Sequence, residues 1–388
     1  MKIKVGVLFG GVSVEHEVSI ISALQAIKNM DLNKYEIIPI YIDKKGVWHT
    51  GEILKDINIY KDMDELKRFT NECILVNKEN KFYLQTTGLF KRYKYEIDII
   101  FPIVHGTNVE DGKLQGYLET INVPYVGSDV LASALGQDKV AQKAIYEVNK
   151  LPILPYIWFY DYEYNNDSEE YLKKINQLGY PVIVKPANLG SSIGIAVAKN
   201  EDELQKAIKE AINYDKKILV EKCLTDLKEV NISVLGNYQS IATSLIEEVN
   251  NSHHILTFDD KYLNGNKTKG MSGSSRKIPA DISKKMQEEI VDIAKKAFLA
   301  LGNSGVVRID FLIDNEIKKV YINEINTCPG SLSFYLWEPS NKKYSELLDE
   351  LIKIGIRNYQ YKQKKINSFD SNILSNFNGT KGVKGTKF

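Results

Sequence analysis

The chain is poor in cysteine, in arginine and in long apolar runs. Its three cysteines, Cys73, Cys223 and Cys328, lie far apart with no C-x-x-C pair. That leaves no basis for a disulfide framework or a zinc site and fits a reducing compartment. No run approaches the roughly 20 apolar residues a membrane span needs, and the one in MKIKVGVLFGG is short for a secretory signal, so a cytoplasmic protein is expected. Formal net charge is +1, which supplies no overall field for nucleic acid or a membrane surface, and neither is expected as a partner. Of 51 basic residues, five are arginine and 46 lysine. Arginine offers a fixed planar fork for anions, so Arg308 is a telling choice. The G-x-x-x-x-G-K-[ST] and G-x-G-x-x-G phosphate fingerprints are also missing.

What is present is ordinary globular composition, 43% hydrophobic and 26% charged over 388 residues, enough for two or three domains. KIKVGVLFGG reads as a buried parallel strand, SVEHEVSIISALQAIKNM as an amphipathic helix and YEIIPIYID as a second strand. This β-α-β start predicts an α/β domain. Residues 45–95 are polar and mixed and read as a strand-rich insertion. YEIDIIFPIVHG is a strand running into a loop at His105, and GKLQGYLETINV and LASALGQDKVAQKAIYEVN are helices. Farther on, YPVIVKPANLGSSIGIAVAK gives strand, Gly-Ser loop, strand; EDELQKAIKEAINY is a helix and KKILVEK a strand. EVNISVLG, QSIATSLIEEV and 306–326 predict an antiparallel sheet, with the helix ISKKMQEEIVDIAKKAFLALG. The last 22 residues are polar and glycine-rich, and a loosely held tail is expected.

The segment VVRIDFLIDNEIKKVYINEINTCPG carries the sharpest chemical signal. Side chains alternate along a strand, so Arg308, Asp310 and Leu312 share one face, and Ile322, Glu324 and Asn326 another. A turn centred on Ile317 sets Arg308 opposite Asn326 and Asp310 opposite Glu324. Two facing carboxylates repel unless a cation lies between them. A solvated hairpin face and a Mg²⁺ site of hard oxygen donors both account for the pattern. PANLGSSIG lets backbone approach an anion, with Lys185 at its base, although a tight hairpin explains the glycines too. ILVEKCLTDLKEV offers Glu221–Leu224 to an adenine edge and Glu229 to ribose hydroxyls, or is a plain strand end. In GGVSVEHEVS, Glu15 and His16 sit at the carboxyl edge of the first sheet, where open α/β sheets bind ligands. His105 occupies the same kind of position, and capping accounts for Glu110 and Asp111. Residues 258–275 form a polar loop with the character of a lid, in which Lys261 and Tyr262 are the functional contacts.

Taken in order, GGVSVEHEVS, HGTNVEDGKLQGYLE, PYVGSDVLASALGQDK, VKPANLGSSIG, EKCL…KEV, RIDF and NEINTCPG resemble the D-alanine–D-alanine ligase family of the ATP-grasp superfamily, from residue 3 to about 340. The resemblance implies an α/β (α+β) ATP-grasp fold of three domains: a Rossmann-like one over 1–127, a central one over 128–221 and a C-terminal one over 222–360, with a tail over 361–388. ATP would lie between the second and third. It assigns Lys139, Lys185, Ser192, Glu221, Lys222, Leu224, Glu229 and Lys261 to ATP, and Asp310, Glu324 and Asn326 to two Mg²⁺ (or Mn²⁺) ions. Glu15, linked to Ser191 and Tyr262, would grip the first D-alanine's ammonium group. Arg308 and the Gly330 N–H would hold the oxyanion, and His105, Tyr335 and Leu336 would line the substrate site. A homodimer is implied. The product would be D-alanyl-D-alanine for peptidoglycan, or, with another acceptor, a D-lactate, D-serine or specialised product. This chain departs from the family pattern in three places. Val109 replaces a usual glycine, and FDDKY is shorter than the usual lid sequence. After Gly330, Leu332 and Tyr335 stand where a Thr and a carboxylate-binding Ser are usual.

Overall fold

The computed structural model describes residues 1–88, 92–190, 193–249, 276–366 and 368. Three sheets organise them. The first contains β1 (Ile3–Gly10), β2 (Tyr35–Ile42), β3 (Trp48–Thr50), β4 (Asn71–Lys78), β5 (Lys81–Thr86), β6 (Tyr93–Ile97) and β7 (Ile99–Ile103), in the order β6-β5-β4-β3-β2-β1-β7. Only β2-β1-β7 are parallel. Their nearly unbroken apolar sequences suit strands covered on both faces, and the helix His16–Asn29 makes the crossover. The 45–95 insertion forms the antiparallel half and adds a helix, Met63–Phe69, ahead of β4.

The second sheet is β8 (Tyr156–Tyr160), β9 (Val182–Pro186), β10 (Ala196–Ala198) and β11 (Lys217–Lys222), ordered β10-β9-β11-β8. Helices Ser168–Leu178 and Glu201–Ile212 bury Leu172, Ile175, Leu204 and Ile208 against it. The third sheet holds β12 (Leu227–Asn237), β13 (Ser240–Thr243), β14 (Glu247–Val249), β15 (Arg276–Lys277), β16 (Gly305–Asp314) and β17 (Lys319–Asn326). Its order is β15-β14-β12-β16-β17, with β13 on β12. Strict alternation divides its faces. Val230, Ile232, Val234, Val307, Ile309 and Phe311 pack on the helix Lys284–Ala300 through Ile290, Ile293, Ala297 and Phe298. Asn231, Ser233, Arg308 and Asp310 therefore point to the other side. The helix Tyr344–Gln363 then returns to the first sheet, where Leu347, Leu351 and Ile352 join Val5, Val7 and Phe101 in one core.

The 306–326 hairpin pairs Arg308 with Asn326 and Asp310 with Glu324, as the alternation predicts. Near its turn, however, Phe311 meets Ile322 and Asp314 meets Lys319, so the register slips by one and Asn323 is the extra residue of a bulge. The slip corrects one expectation. Val320, Ile322 and Ile325 all lie in the helix-covered core, so Ile322 does not share a face with Glu324 and Asn326. A bulge reverses the side-chain parity beyond it, which lets an apolar strand end in two polar residues aimed away from the core.

Deleting Asn323 should turn Glu324 and Asn326 into the core and Ile325 out of it. Burying an unpaired carboxylate costs several kcal/mol, so the deletion should lower Tm far more than Asn323→Ala, which keeps the bulge. Equal thermal melts for the two variants would contradict this account.

Candidate active site

The polar face of the third sheet is ordered by its ladder. Glu247, Asn231, Asp310 and Glu324 occupy one rung across four strands, and Ser233, Arg308 and Asn326 the next. Adjacent strands are about 4.8 Å apart, so three carboxylates stand close together and each requires a counter-charge or a donor. Arg308 meets Asp310 with both prongs, Nε to Oδ1 at 2.7 Å and a terminal nitrogen to Oδ2 at 2.7 Å. Asn326 donates to Asp310 Oδ2 at 3.3 Å. Burial disfavours the Arg308 charge, but Asp310 outweighs it and holds the guanidinium well above its ordinary value. Glu247 is 1% exposed and its carboxyl is pushed up, mainly by burial. Asn231 donates to its Oε2 at 3.0 Å.

Cations of β9 and of the helix Lys139–Val148 meet this face. Lys185 of β9 lies 2.6 Å from Glu221 Oε2 and donates to Asn323 Oδ1, the bulge residue, at 3.2 Å. Lys139 donates to the Leu189 carbonyl at 2.8 Å and lies 3.5 Å from Glu324 Oε2. Lys143 forms an ion pair with the other oxygen of Glu221. Burial opposes the Glu221 charge, yet Lys143 and Lys185 together hold its carboxyl at about 2. Sequence reasoning missed Lys143. The available signal was its spacing of four from Lys139, which sets both on one side of the helix Lys139–Val148.

The segment expected at adenosine is partly committed within the protein. Glu221 sits between two lysines, and the Lys222 ammonium donates to the carbonyls of Gly179 and Tyr180 at 3.0 and 3.1 Å. The N–H groups of Lys222 and Cys223 go to the Pro155 and Pro181 carbonyls. Leu224 and Glu229 are half-buried at the junction of the second and third sheets.

Loops of the first sheet form the third wall. A Cβ on Gly106, whose φ is +81°, would lie 2.8 Å from Glu15 Oε2, and one on Gly190 would lie 3.0 Å from the same atom. Glu15 is thus wedged between the His105 loop and the opening of the glycine-rich loop. Ser191, Ser192, Lys261 and Tyr262 lie outside the described residues. His105, expected at the substrate, is buried with both ring nitrogens engaged: Nδ1 with the Cys328 carbonyl at 2.8 Å and Nε2 with Ser22 Oγ at 3.1 Å. Burial lowers its pKa and favours the neutral ring. Glu110 is no helix cap. The helix Lys113–Thr120 starts at Gly112 without a side-chain cap, and Glu110 reaches across to accept from Gly106 N–H at 2.9 Å, Cys328 N–H at 2.9 Å and Thr327 Oγ1 at 3.2 Å.

Gly330 opens a tight turn in which Ser331, Leu332 and Ser333 have φ of 51°, 54° and 51°. Left-handed backbone costs about 1–2 kcal/mol for each such residue. The helix His16–Asn29 holds the turn in place. Ser331 N–H donates to Ser22 Oγ at 3.0 Å and Ser331 Oγ donates to Gln25 Oε1 at 2.6 Å, while Leu332 is buried in the first core. Tyr335 follows, in the short helix Phe334–Trp337, with the Arg276 guanidinium 4.2 Å from its ring centre. Leu336, expected at the substrate site, is fully buried at 0% exposure.

Two measurements test these contacts. Burial and the Glu15 charge raise the Glu110 carboxyl to about 7, against an ordinary 4.5. The folded state therefore keeps a proton that the unfolded chain releases, so this group's stabilisation is full below pH 4.5 and lost as pH rises through 7. Glu110→Gln stays neutral throughout, so the wild-type Tm minus the variant Tm should fall between pH 4.5 and 7.5; a flat difference would contradict the assignment. Ser333→Gly relieves a left-handed residue whose buried hydroxyl has no partner among the described residues. Denaturant titration should show a gain of about 1 kcal/mol.

The comparisons agree over both halves of the chain. A family model described as D-ala D-ala ligase N-terminus matches residues 4–128, and one described as D-ala D-ala ligase C-terminus matches residues 145–353. A D-alanine–D-alanine ligase of Thermosipho melanesiensis is 40% identical over 374 residues, 96% of this chain and 98% of its own. One of Clostridium acetobutylicum is 40% identical over 363 residues, 92% of this chain and 98% of its own. The solved D-alanine–D-alanine ligase of Coxiella burnetii superposes with a TM-score of 0.78 at 30% identity, covering 94% of this chain and 96% of its own. With the sheets, the cleft and these likenesses in agreement, the chain belongs to the D-alanine–D-alanine ligase family and has its ATP-grasp fold.

Proposed function

We propose that the chain joins two D-alanines into D-alanyl-D-alanine, converting ATP to ADP and phosphate, as a step of peptidoglycan precursor synthesis in the cytoplasm. The observation that carries this reading is the meeting of Lys139 and Lys185 with Glu324 and Asn323 beside the Arg308–Asp310 pair. A polyphosphate needs such cations, and an acyl transfer needs a donor aimed at its oxyanion. In this reading the three sheets correspond to domains 1–127, 128–221 and 222–360, with ATP between the last two, and the protein is a homodimer. Among the described residues no helix is long and apolar enough to cross a membrane.

A carboxylate is a poor electrophile, so the γ-phosphoryl group first passes to the carboxylate of one D-alanine. The amine of the second then attacks the acyl phosphate and phosphate leaves. Lys139 and Lys185 neutralise the phosphates. Glu15 holds the first ammonium group, and Arg308 with the Gly330 N–H stabilises the tetrahedral oxyanion. By resemblance, Ser191 and Tyr262 extend the Glu15 link, and Ser192 and Lys261 join the ATP contacts. Asp310, Glu324 and Asn326 offer hard oxygens on one face of two adjacent strands, a donor set that fits Mg²⁺ with phosphate and water completing the shell. Bound there, the ion would offset the mutual repulsion of the two acids and the phosphate charge. Among the described residues no cluster of three His, Cys, Asp or Glu is close enough to hold a metal by itself.

ADP and phosphate should appear only when D-alanine is supplied, and mass spectrometry should find D-alanyl-D-alanine. ATP turnover indifferent to D-alanine would refute the reading. Asp310→Asn and Glu324→Gln should each lower kcat at least about 100-fold while circular dichroism stays that of the wild type. Full activity in either variant would remove the metal assignment.

A further inference from the structure

We propose that Arg276, with the Tyr335 hydroxyl, binds the α-carboxylate of the acceptor amino acid. The inference rests on the ligase reading above. In that reaction the attacking amine approaches the carbon whose oxygen is held by Arg308 and Gly330. The acceptor's carboxylate carbon is two bonds from that amine, so the anion must lie beside the same pair. Tyr335 stands five residues after Gly330, and Arg276 lies on its ring at 4.2 Å.

Glu247 supplies Arg276 with one anion, set to one side of its Nε. Its Nε is 3.2 Å from Glu247 Oε1 but is not aligned as a hydrogen bond, and the second oxygen of Glu247 is already taken by Asn231. Among the described residues the guanidinium makes no aligned hydrogen bond. Glu247, nearly fully buried, fixes the charge in place, and the Tyr335 ring fixes its plane. The other cations of the cleft also have carboxylate partners: Lys143 and Lys185 pair with Glu221, Lys139 lies 3.5 Å from Glu324, and Arg308 meets both oxygens of Asp310 with aligned donors. Simple charge balance for Glu247 would be met by lysine, which this chain uses 46 times against five arginines. Arginine adds a two-pronged match to a carboxylate.

The test is a competition within one reaction. The enzyme receives ATP, D-alanine as donor, and equal D-alanine and D-alaninamide as acceptors, and the two products are quantified by mass spectrometry. The product ratio does not depend on overall rate, so weakened variants remain informative. Wild type should strongly prefer the free carboxylate. Arg276→Ala should reduce that preference about 10- to 100-fold. Arg276→Lys, which keeps the charge over Glu247 but loses the fork, and Tyr335→Phe, which keeps the ring, should each reduce it several-fold. If Arg276→Ala fails to fold, those two variants decide. An unchanged ratio in them overturns the inference while leaving the ligase reading intact. No dipeptide from the wild type with D-alanine would instead sink the ligase reading, and this inference with it.

Discussion

The cleft is organised by the need to hold like charges close together away from bulk water. Asp310 faces Glu324 across a strand pair, and Glu247 stands in the same rung. Repulsion between carboxylates grows as the local dielectric falls, so the arrangement persists only because each acid has its own answer. Asp310 has the fork of Arg308, Glu324 has Lys139 and Glu247 has Asn231 and Arg276. Glu221, across the cleft, is answered twice, by Lys143 and Lys185. Removing one partner of a buried pair leaves an uncompensated charge, which costs more than the pair contributes. The cleft is therefore a connected set of charges, and a bound polyphosphate with its cations would replace partners within that set.

Assembly of the set depends on contacts between segments far apart in the chain. The loop 327–331 supplies the Gly330 N–H, and all of its anchors come from the N-terminal third. His105 takes the Cys328 carbonyl, Glu110 takes the Cys328 N–H and the Thr327 hydroxyl, and Ser22 and Gln25 take Ser331. These residues do not need to touch substrate in order to matter. They hold three successive left-handed residues in a conformation that the turn's own sequence disfavours.

Much of this was legible in the residues. The facing of Asp310 and Glu324 followed from period-two alternation and one assumed turn centre, because a strand pair has few degrees of freedom. The strand–glycine loop–strand at 182–198 and the helix at 284–300 were likewise readable from apolar spacing. The bulge at Asn323 was not, since nothing in YINEIN marks the extra residue until the core selects Ile322 and Ile325 together. Nor was the turn at Ser331–Ser333, where no glycine or asparagine announces positive φ. Glu110 read as a cap because its helix was near in sequence, and two of its three partners lie 217 and 218 residues away.

The sequence by itself determined the local periodicities, the ordered motifs and the kinds of donor available, all of which are encoded within a few neighbouring residues. Tertiary structure decided which cation answers which carboxylate, that His105 and Glu110 hold the 327–331 loop, that Leu336 is interior, and that Arg276 lies on Tyr335. Those outcomes turn on distances between segments that only the packing of three sheets establishes, since charge pairing depends on separation and burial rather than on residue type.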